Sequence, residues 1–264
     1  MSHTPFFSII VVAFNAVKVI RPTVDSVLQQ TFGDYEIVVK DACSTDGTLE
    51  QLPEDPRIRV YSTKDGGIYE GMNEAVTYAK GEYVLFLNCG DLFHDSGVLQ
   101  AAWEKAKDLE QPSILYGDRF RNGVCYKQPS KVTPFFLYRT PICHQTEFFH
   151  RSLFDERGYD LEFRLLADHE FTLRCFRAGV PFVYIPHTIC DYEGGGMSES
   201  PKWQKRKYIE SDMILKRYYS KKERLISDMK IALTFRKLRI AMNSDSSPRW
   251  VRKAYGALLK LVNR

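Results

Sequence analysis

Four short polar turns in this chain put carboxylates and amides directly after apolar runs. Ala13-Phe14-Asn15 follows FFSIIVV, Asp41 opens DACSTDGT after YEIVVK, Lys64 and Asp65 begin KDGGIYEGMN after a run at 57–61, and Asn88-Cys89-Gly90-Asp91 follows EYVLFL. A carboxylate at the end of a buried strand has no packing role. Lone carboxylates beside glycine-rich turns suit a hard divalent cation such as Mg²⁺ or Mn²⁺, which keeps waters and takes one or two protein carboxylates plus phosphate oxygens. No G-x-x-x-x-G-K-[ST] phosphate loop occurs, and no G-x-G-x-x-G follows the first run. Each residue also has a plainer use. Asp41 and Asp91 are ordinary turn or cap residues by type, Asp168 would stabilise the dipole of its helix, and His144 would pack in a core. Agreement among four strand ends favours a site.

The elements that would position these residues alternate. FFSIIVVAF reads as a buried parallel strand, YEIVVK as a second, residues 57–61 as a third, EYVLFL as a fourth and SILYG as a fifth. Helices are predicted at residues 22–30 with Pro22 in the first turn, at 67–79 closed by Gly81, and from a Ser96 cap to about 107. Such alternation implies right-handed crossovers and a mostly parallel α/β sheet. Ligands of open α/β sheets bind beyond the carboxyl ends of the strands, so the four turns should meet in one crevice. Beyond the fifth strand, Asn122-Gly123 marks a hairpin, residues 168–178 read as a helix stopped by Gly179, and PFVYIP and TICDY as two short strands.

The chain of 264 residues suffices for one large α/β domain with an appendage, expected at residues 1–200 and 201–264. Charge divides the same way: from Pro201 onward there are 18 Lys/Arg against 5 Asp/Glu, net +13, while the preceding 200 residues carry −9. The six cysteines form no C-x-x-C pair and read as reduced thiols of a cytosolic protein. The first apolar run is too short to span a bilayer and lacks a basic flank, so neither a signal peptide nor a membrane span is predicted. Helical spacing recurs at 203–219 and 221–242. After Ser247-Pro248, residues Trp250, Val251, Ala254, Tyr255, Leu258, Leu259 and Val262 share one face while Arg249, Arg252, Lys253, Lys260 and Arg264 lie largely off it. A basic amphipathic helix with Trp and Tyr reads as an anionic membrane surface contact; the alternative is docking on the core or on a second copy of the chain. No nucleic-acid-reading motif accompanies the charge.

Taken in order, SIIVVAFN, LQQTFGDYEIVVKDACSTDGT, DGGIYEGMNEA and GEYVLFLNCGD resemble the family-two glycosyltransferases of the GT-A fold. CHQTEFFHRSLF, ADHEFTLRCFRAG and GGGMS extend the likeness, closest to the bacterial branch that builds capsule, exopolysaccharide or lipopolysaccharide. The resemblance covers roughly residues 6–198 and implies roles. Val12, Ala13 and Phe14, with Asn15, would line the nucleotide base. Asp41 and Asp65 would bind base or ribose. Asn88, Cys89 and Gly90 would hold the nucleotide, and Asp91 an Mn²⁺ or Mg²⁺ ion. Asp168 would be the catalytic base. His144, Gln145 and Asn73 would sit near acceptor or donor sugar, Asn73 alternatively pinning its own loop. Gly194, Gly195, Gly196 and Ser198 would form a mobile loop over the diphosphate. Two positions depart from the family pattern: N-C-G-D replaces the D-x-D turn, one carboxylate fewer, and Ala42 in D-A-C-S offers the base no side-chain contact.

The resemblance thus implies an inverting transfer of a sugar from a UDP-linked donor to a lipid-linked saccharide at the cytoplasmic face of the membrane. Two rivals remain at this point. A nucleotidyltransferase would need a basic glycine-rich loop where AFNAVK stands. A non-catalytic sugar-nucleotide-binding subunit would tolerate the thinned turn.

Overall fold

The computed structural model describes residues 4–196 and 199–233. β1 (Phe7–Ala13), β2 (Tyr35–Asp41) and β4 (Tyr83–Phe86) form where the apolar runs are densest. β3 (Ile58–Ser62) pairs outside β2, and the order β3-β2-β1-β4 is parallel throughout. Every residue of β2 and β4 is buried. Ile9, Ile10, Val11, Ile37, Val38, Val39, Val84 and Leu85 are fully excluded from water, each worth about 1.5–3 kcal/mol of burial. The polar members of these strands are paired internally: the Glu36 carboxylate accepts from Ser8 Oγ (2.7 Å), Lys80 N (2.6 Å) and Arg59 Nη1 (2.6 Å).

Crossover helices α1 (Ile20–Leu28), α2 (Ile68–Tyr78) and α3 (Val98–Ala106) connect this half. Gly81 brings α2 back to the sheet. A Cβ there would lie 2.5 Å from Ser8 N and 2.6 Å from Phe7 C, both backbone atoms, so only glycine fits. Ser96 is not the cap of α3. Its carbonyl accepts from Thr31 N and Thr31 Oγ1, while Asp95 Oδ1 takes the Gly97 N–H at 2.8 Å.

The second half is mixed. β8 (Glu147–His150) is antiparallel to β4 and to β6 (Ile114–Arg121), which runs parallel to β9 (Phe182–Asp191); β5 (Leu92–Phe93) closes the far edge. β6 turns through Asn122 (φ 50°) and Gly123 (φ 77°) into β7 (Val124–Tyr126), the expected hairpin. The two short strands expected at PFVYIP and TICDY are one strand. Exposed Pro186 lacks an N–H and the β6–β9 pairing is irregular at this level, yet β9 continues. α5 (Ala167–Arg177) ends before Gly179, whose φ of 84° suits only glycine.

The described residues divide into two compact units, one of 4–132, 141–196 and 199–210, the other of 133–140 and 211–233. Residues 201–210 therefore group with the sheet, ten residues beyond the expected boundary, because Glu210 is hydrogen-bonded there. α6 (Gln204–Tyr218) falls in the first helical stretch expected from spacing and α7 (Lys221–Leu233) in the second, whose residues 234–242 lie outside the described residues. In the smaller unit, α4 (Pro134–Arg139) is tied on by Tyr219 Oη to Pro134 O (2.7 Å) and by Tyr138 Oη to Asp228 (2.8 Å). Among the described residues no helix is long and apolar enough to cross a membrane. The basic helix expected after Pro248 lies outside the described residues, as does Ser198.

Candidate active site

A cleft of about 270 Å³ opens where β4 ends, lined among others by Asn88, Cys89, Asp91, His144, Gln145, Asp168, Gly194 and Gly196. These expected residues come together from four separate stretches of sequence. Asp168 sits in the first turn of α5, where the helix dipole favours a negative charge. Its side chain is 17% exposed. Oδ1 lies 2.9 Å from Tyr69 Oη and 2.8 Å from the His169 N–H; Oδ2 lies 3.0 Å from His144 Nδ1. Tyr69 Oη is also 3.1 Å from Leu165 O, so its single proton is shared between the two acceptors. Burial pushes the Asp168 carboxyl up, but the hydrogen bond from His144, with the His169 N–H and Tyr69, brings it net below the usual carboxylate range.

His144 joins this carboxylate to the turn after β4. Its Nε2 is 3.1 Å from Asn88 Nδ2. An amide nitrogen only donates, so Nε2 accepts; the imidazole proton is then on Nδ1 and is donated to Asp168. This orientation leaves Asn88 Oδ1 buried with no partner among the described residues. Asp91 is 5% exposed; Oδ1 accepts from Glu193 N (3.0 Å) and Oδ2 from Gln145 Nε2 (2.8 Å). Burial raises the Asp91 carboxyl, opposed by those two donors. The turn is fixed by Thr23, which accepts from Gly90 N and donates to Asp91 O, both at 3.0 Å. Gly90 has φ 103°, and a Cβ there would strike Glu193.

The ends of β1, β2 and β3 form a second hydrogen-bonded cluster rather than further walls of this cleft. Asp41 is fully buried and accepts from Ser44 N (3.0 Å), Ser44 Oγ and Ser62 Oγ (2.7 Å). Asn15 (φ 49°) accepts from Thr45 N at 3.1 Å and gives its own N–H to Ser44 Oγ at 2.8 Å. Ala13 is buried, Val12 partly so, and Phe14 stands out 66% exposed, a free aromatic face at the cluster's rim. Asp65 pairs with the wholly buried Lys40 at 2.9 Å. Asp41 is near enough to Cys89 to add to the burial that pushes that thiol up to about 12, so Cys89 is an inert turn residue.

Asn73 does not reach the cleft. Its Oδ1 accepts from Tyr159 N (2.7 Å) and its Nδ2 donates to Tyr159 O (2.9 Å), which spends the amide on pinning that loop. Gly194 and Gly195 take φ 80° and 74°, and Gly195 N donates to Glu199, itself paired with Arg121 at 2.7 Å. The sequence reading missed Tyr69, Arg164, Tyr192 and Glu193, all lining the cleft. Tyr69 was within reach, since it lies one helical step into the glycine-rich turn after β3. The others stand in stretches without a motif.

For the cation implied by the fold, the donor set is sparse but of the right kind. Among the described residues no three His, Cys, Asp or Glu side chains gather as a ligand cluster. Asp91 and the orphaned Asn88 Oδ1 are hard oxygen donors, and a cation shared with a diphosphate needs few from the protein.

The family model for Glycosyl transferase family 2 matches residues 8–178. The chain belongs to that family. A PGL/p-HBAD biosynthesis glycosyltransferase of Mycobacterium tuberculosis is 33% identical over 212 residues, covering 74% of this chain and 80% of that one. Hyaluronan synthase of Pasteurella multocida is 36% identical over 185 residues, covering 62% of this chain but 19% of the synthase. Among solved structures, S. aureus TarS 1-349 in complex with UDP-GlcNAc superposes with a TM-score of 0.63 at 23% identity, covering 79% of this chain and 65% of that one, under two thirds of its length. Mannosyltransferase PcManGT from Pyrobaculum calidifontis, in complex with GDP-Man and Mn²⁺, gives 0.63 at 17% identity, covering 98% and 81%. The fold is that of the GT-A glycosyltransferases, and the protein is a glycosyltransferase of this family.

Proposed function

We propose that the protein transfers a sugar from a UDP-linked donor to a saccharide acceptor with inversion, in the synthesis of a bacterial surface polysaccharide or glycolipid. The observation that carries this reading is the Asp168 carboxylate, held ionised by three donors and facing the cleft that ends at Asn88 and Asp91. An acceptor hydroxyl beside Asp168 gives up its proton to the carboxylate as its oxygen bonds to the anomeric carbon. The bond from that carbon to the diphosphate breaks in the same displacement, and the electron pair leaves with the diphosphate. One displacement inverts the anomeric centre, so an α-linked donor yields a β-linked product. His144 and Tyr69 keep the base oriented.

Asp91 and Asn88 Oδ1 would hold an Mn²⁺ or Mg²⁺ ion, which when bound neutralises charge on the leaving diphosphate. Gly194 and Gly196 line the cleft and would close over that charge with backbone N–H groups. Exposed Phe14 and the buried Asp41 turn would receive the uracil and ribose. The UDP-GlcNAc and Mn²⁺ complexes of the structural relatives support a nucleotide-sugar donor and a cation, and the glycolipid relative supports a lipid-linked acceptor. The basic C-terminal segment would bring the enzyme to the cytoplasmic face of an anionic membrane.

The test is thermal unfolding with UDP, other nucleotides and their sugars, with and without Mn²⁺. A ligand that binds only the folded state adds about 2.7 kcal/mol at a hundredfold excess over Kd. UDP with Mn²⁺ should raise Tm in the wild type and not in Asp91→Ala. No shift with any nucleotide would refute the donor assignment.

A further inference from the structure

A second pocket, about 370 Å³, adjoins the cleft through Ile68, Tyr69 and Arg164, which line both. Its own lining adds Leu161, Phe163, Glu70 and Arg206. It therefore opens beside Tyr69, the residue hydrogen-bonded to Asp168.

Two guanidinium groups face this space, and both are held in place. Arg164 lies over the Trp203 ring at 5.1 Å and has no carboxylate partner among the described residues. A guanidinium over an indole face is held to the ring without using its N–H donors. Arg206 is anchored by its Nε to Glu210 Oε1 at 2.7 Å, which leaves its terminal N–H groups for a ligand. Glu210 itself is saturated. It is 3% exposed, and it also accepts from the backbone N–H groups of Arg164 (3.0 Å), Leu165 (2.8 Å) and Leu166 (3.2 Å). One buried carboxylate thus fixes both arginines and the segment leading into Asp168. The carboxylate in the lining, Glu70, is turned onto Gly66 N at 2.7 Å. Leu161 and Ile68, 56% and 38% exposed, supply an apolar face beside the charge.

We propose that this pocket binds an oxyanion on the sugar acceptor, a carboxylate or a phosphate ester close to the hydroxyl that is glycosylated. Fixed, planar guanidinium groups with open terminal donors suit the two oxygens of such a group. The proposal rests on Asp168 being the base that receives the acceptor's proton.

The experiment is calorimetric titration of the full chain, loaded with UDP and Mn²⁺, with glucose 6-phosphate, glucuronate and glucose. At least one anionic sugar should bind tenfold or more tightly than glucose, and the better one tells phosphate from carboxylate. Arg164→Gln and Arg206→Gln should each remove most of that preference, read against the affinity of the same variant for glucose, and Arg164→Lys should restore part of it. Equal binding of the three sugars, or a preference untouched by both variants, overturns the proposal. A tenfold loss of UDP affinity in Arg164→Gln overturns it too, because Arg164 would then serve the donor. A wild type that binds no UDP refutes the transferase reading itself, which separates the two failures.

Discussion

Glu147 gives a quantitative test of how the sheet supports the base. It is the first residue of β8, wholly buried, and its oxygens lie 3.2 and 3.3 Å from Thr172 Oγ1. A hydroxyl has one proton to give, so an ionised Glu147 would be largely unsolvated. Burial, with the nearby charge of Asp168, pushes its carboxyl from 4.5 up to about 8, against the Thr172 hydrogen bond. The folded protein thus keeps a proton that the unfolded chain releases above about pH 4.5. Stability is full below that pH and falls as pH rises toward 8, where the folded state also ionises. Between pH 5 and 7 this linkage removes roughly 2–3 kcal/mol of unfolding free energy. Glu147→Gln keeps the shape and cannot ionise. The assay is urea unfolding of both proteins at half-unit steps from pH 5 to 7, where groups common to both cancel in the difference. The wild type should lose roughly 2–3 kcal/mol relative to the variant across that range. Parallel curves would refute a buried, protonated Glu147.

Tyr69→Phe removes one of three donors that hold Asp168 ionised, so Asp168 should protonate at higher pH. Activity is lost as pH falls through that pKa, so the acid limb of kcat/KM should move upward, with about a tenfold loss at a fixed pH on that limb from a charge-assisted hydrogen bond of roughly 1.5 kcal/mol. An unmoved acid limb would remove Tyr69 from the base's support. Deleting residues 248–264 should release the protein from vesicles rich in anionic lipid while UDP binding persists, since each basic residue near such a surface contributes about 1 kcal/mol. Vesicle binding that survives the deletion would assign the membrane contact elsewhere or nowhere.

The parallel half of the sheet was legible because β1, β2 and β4 are continuous apolar runs buried on both faces, a pattern short of alternatives. β8 was not, because four residues paired antiparallel between two distant strands leave no local signal. PFVYIP and TICDY were read as two short strands, whereas tertiary pairing carries β9 through Pro186. At the site, Asp91 stood out as a polar residue at a strand end, and Asp168 through the family resemblance. Their partners are set by geometry that no spacing encodes: Gln145 on Asp91, and Tyr69 and His144 on Asp168. Asn73 takes the second of its two expected roles, a polar residue near a motif that the fold spends on holding Tyr159. The β1 and β2 turns were expected in the same crevice, but Asn15, Ser44 and Asp41 satisfy one another first.

The role of Asp168 is tested most directly by Asp168→Asn, assayed for UDP release from the UDP-sugar that gives the largest thermal shift, with the same shift as a control for folding and donor binding. An amide cannot take the acceptor's proton, so the rate should fall by about 10²–10⁴-fold with UDP and Mn²⁺ still bound. Wild-type turnover in Asp168→Asn would contradict the assignment of Asp168 as the base.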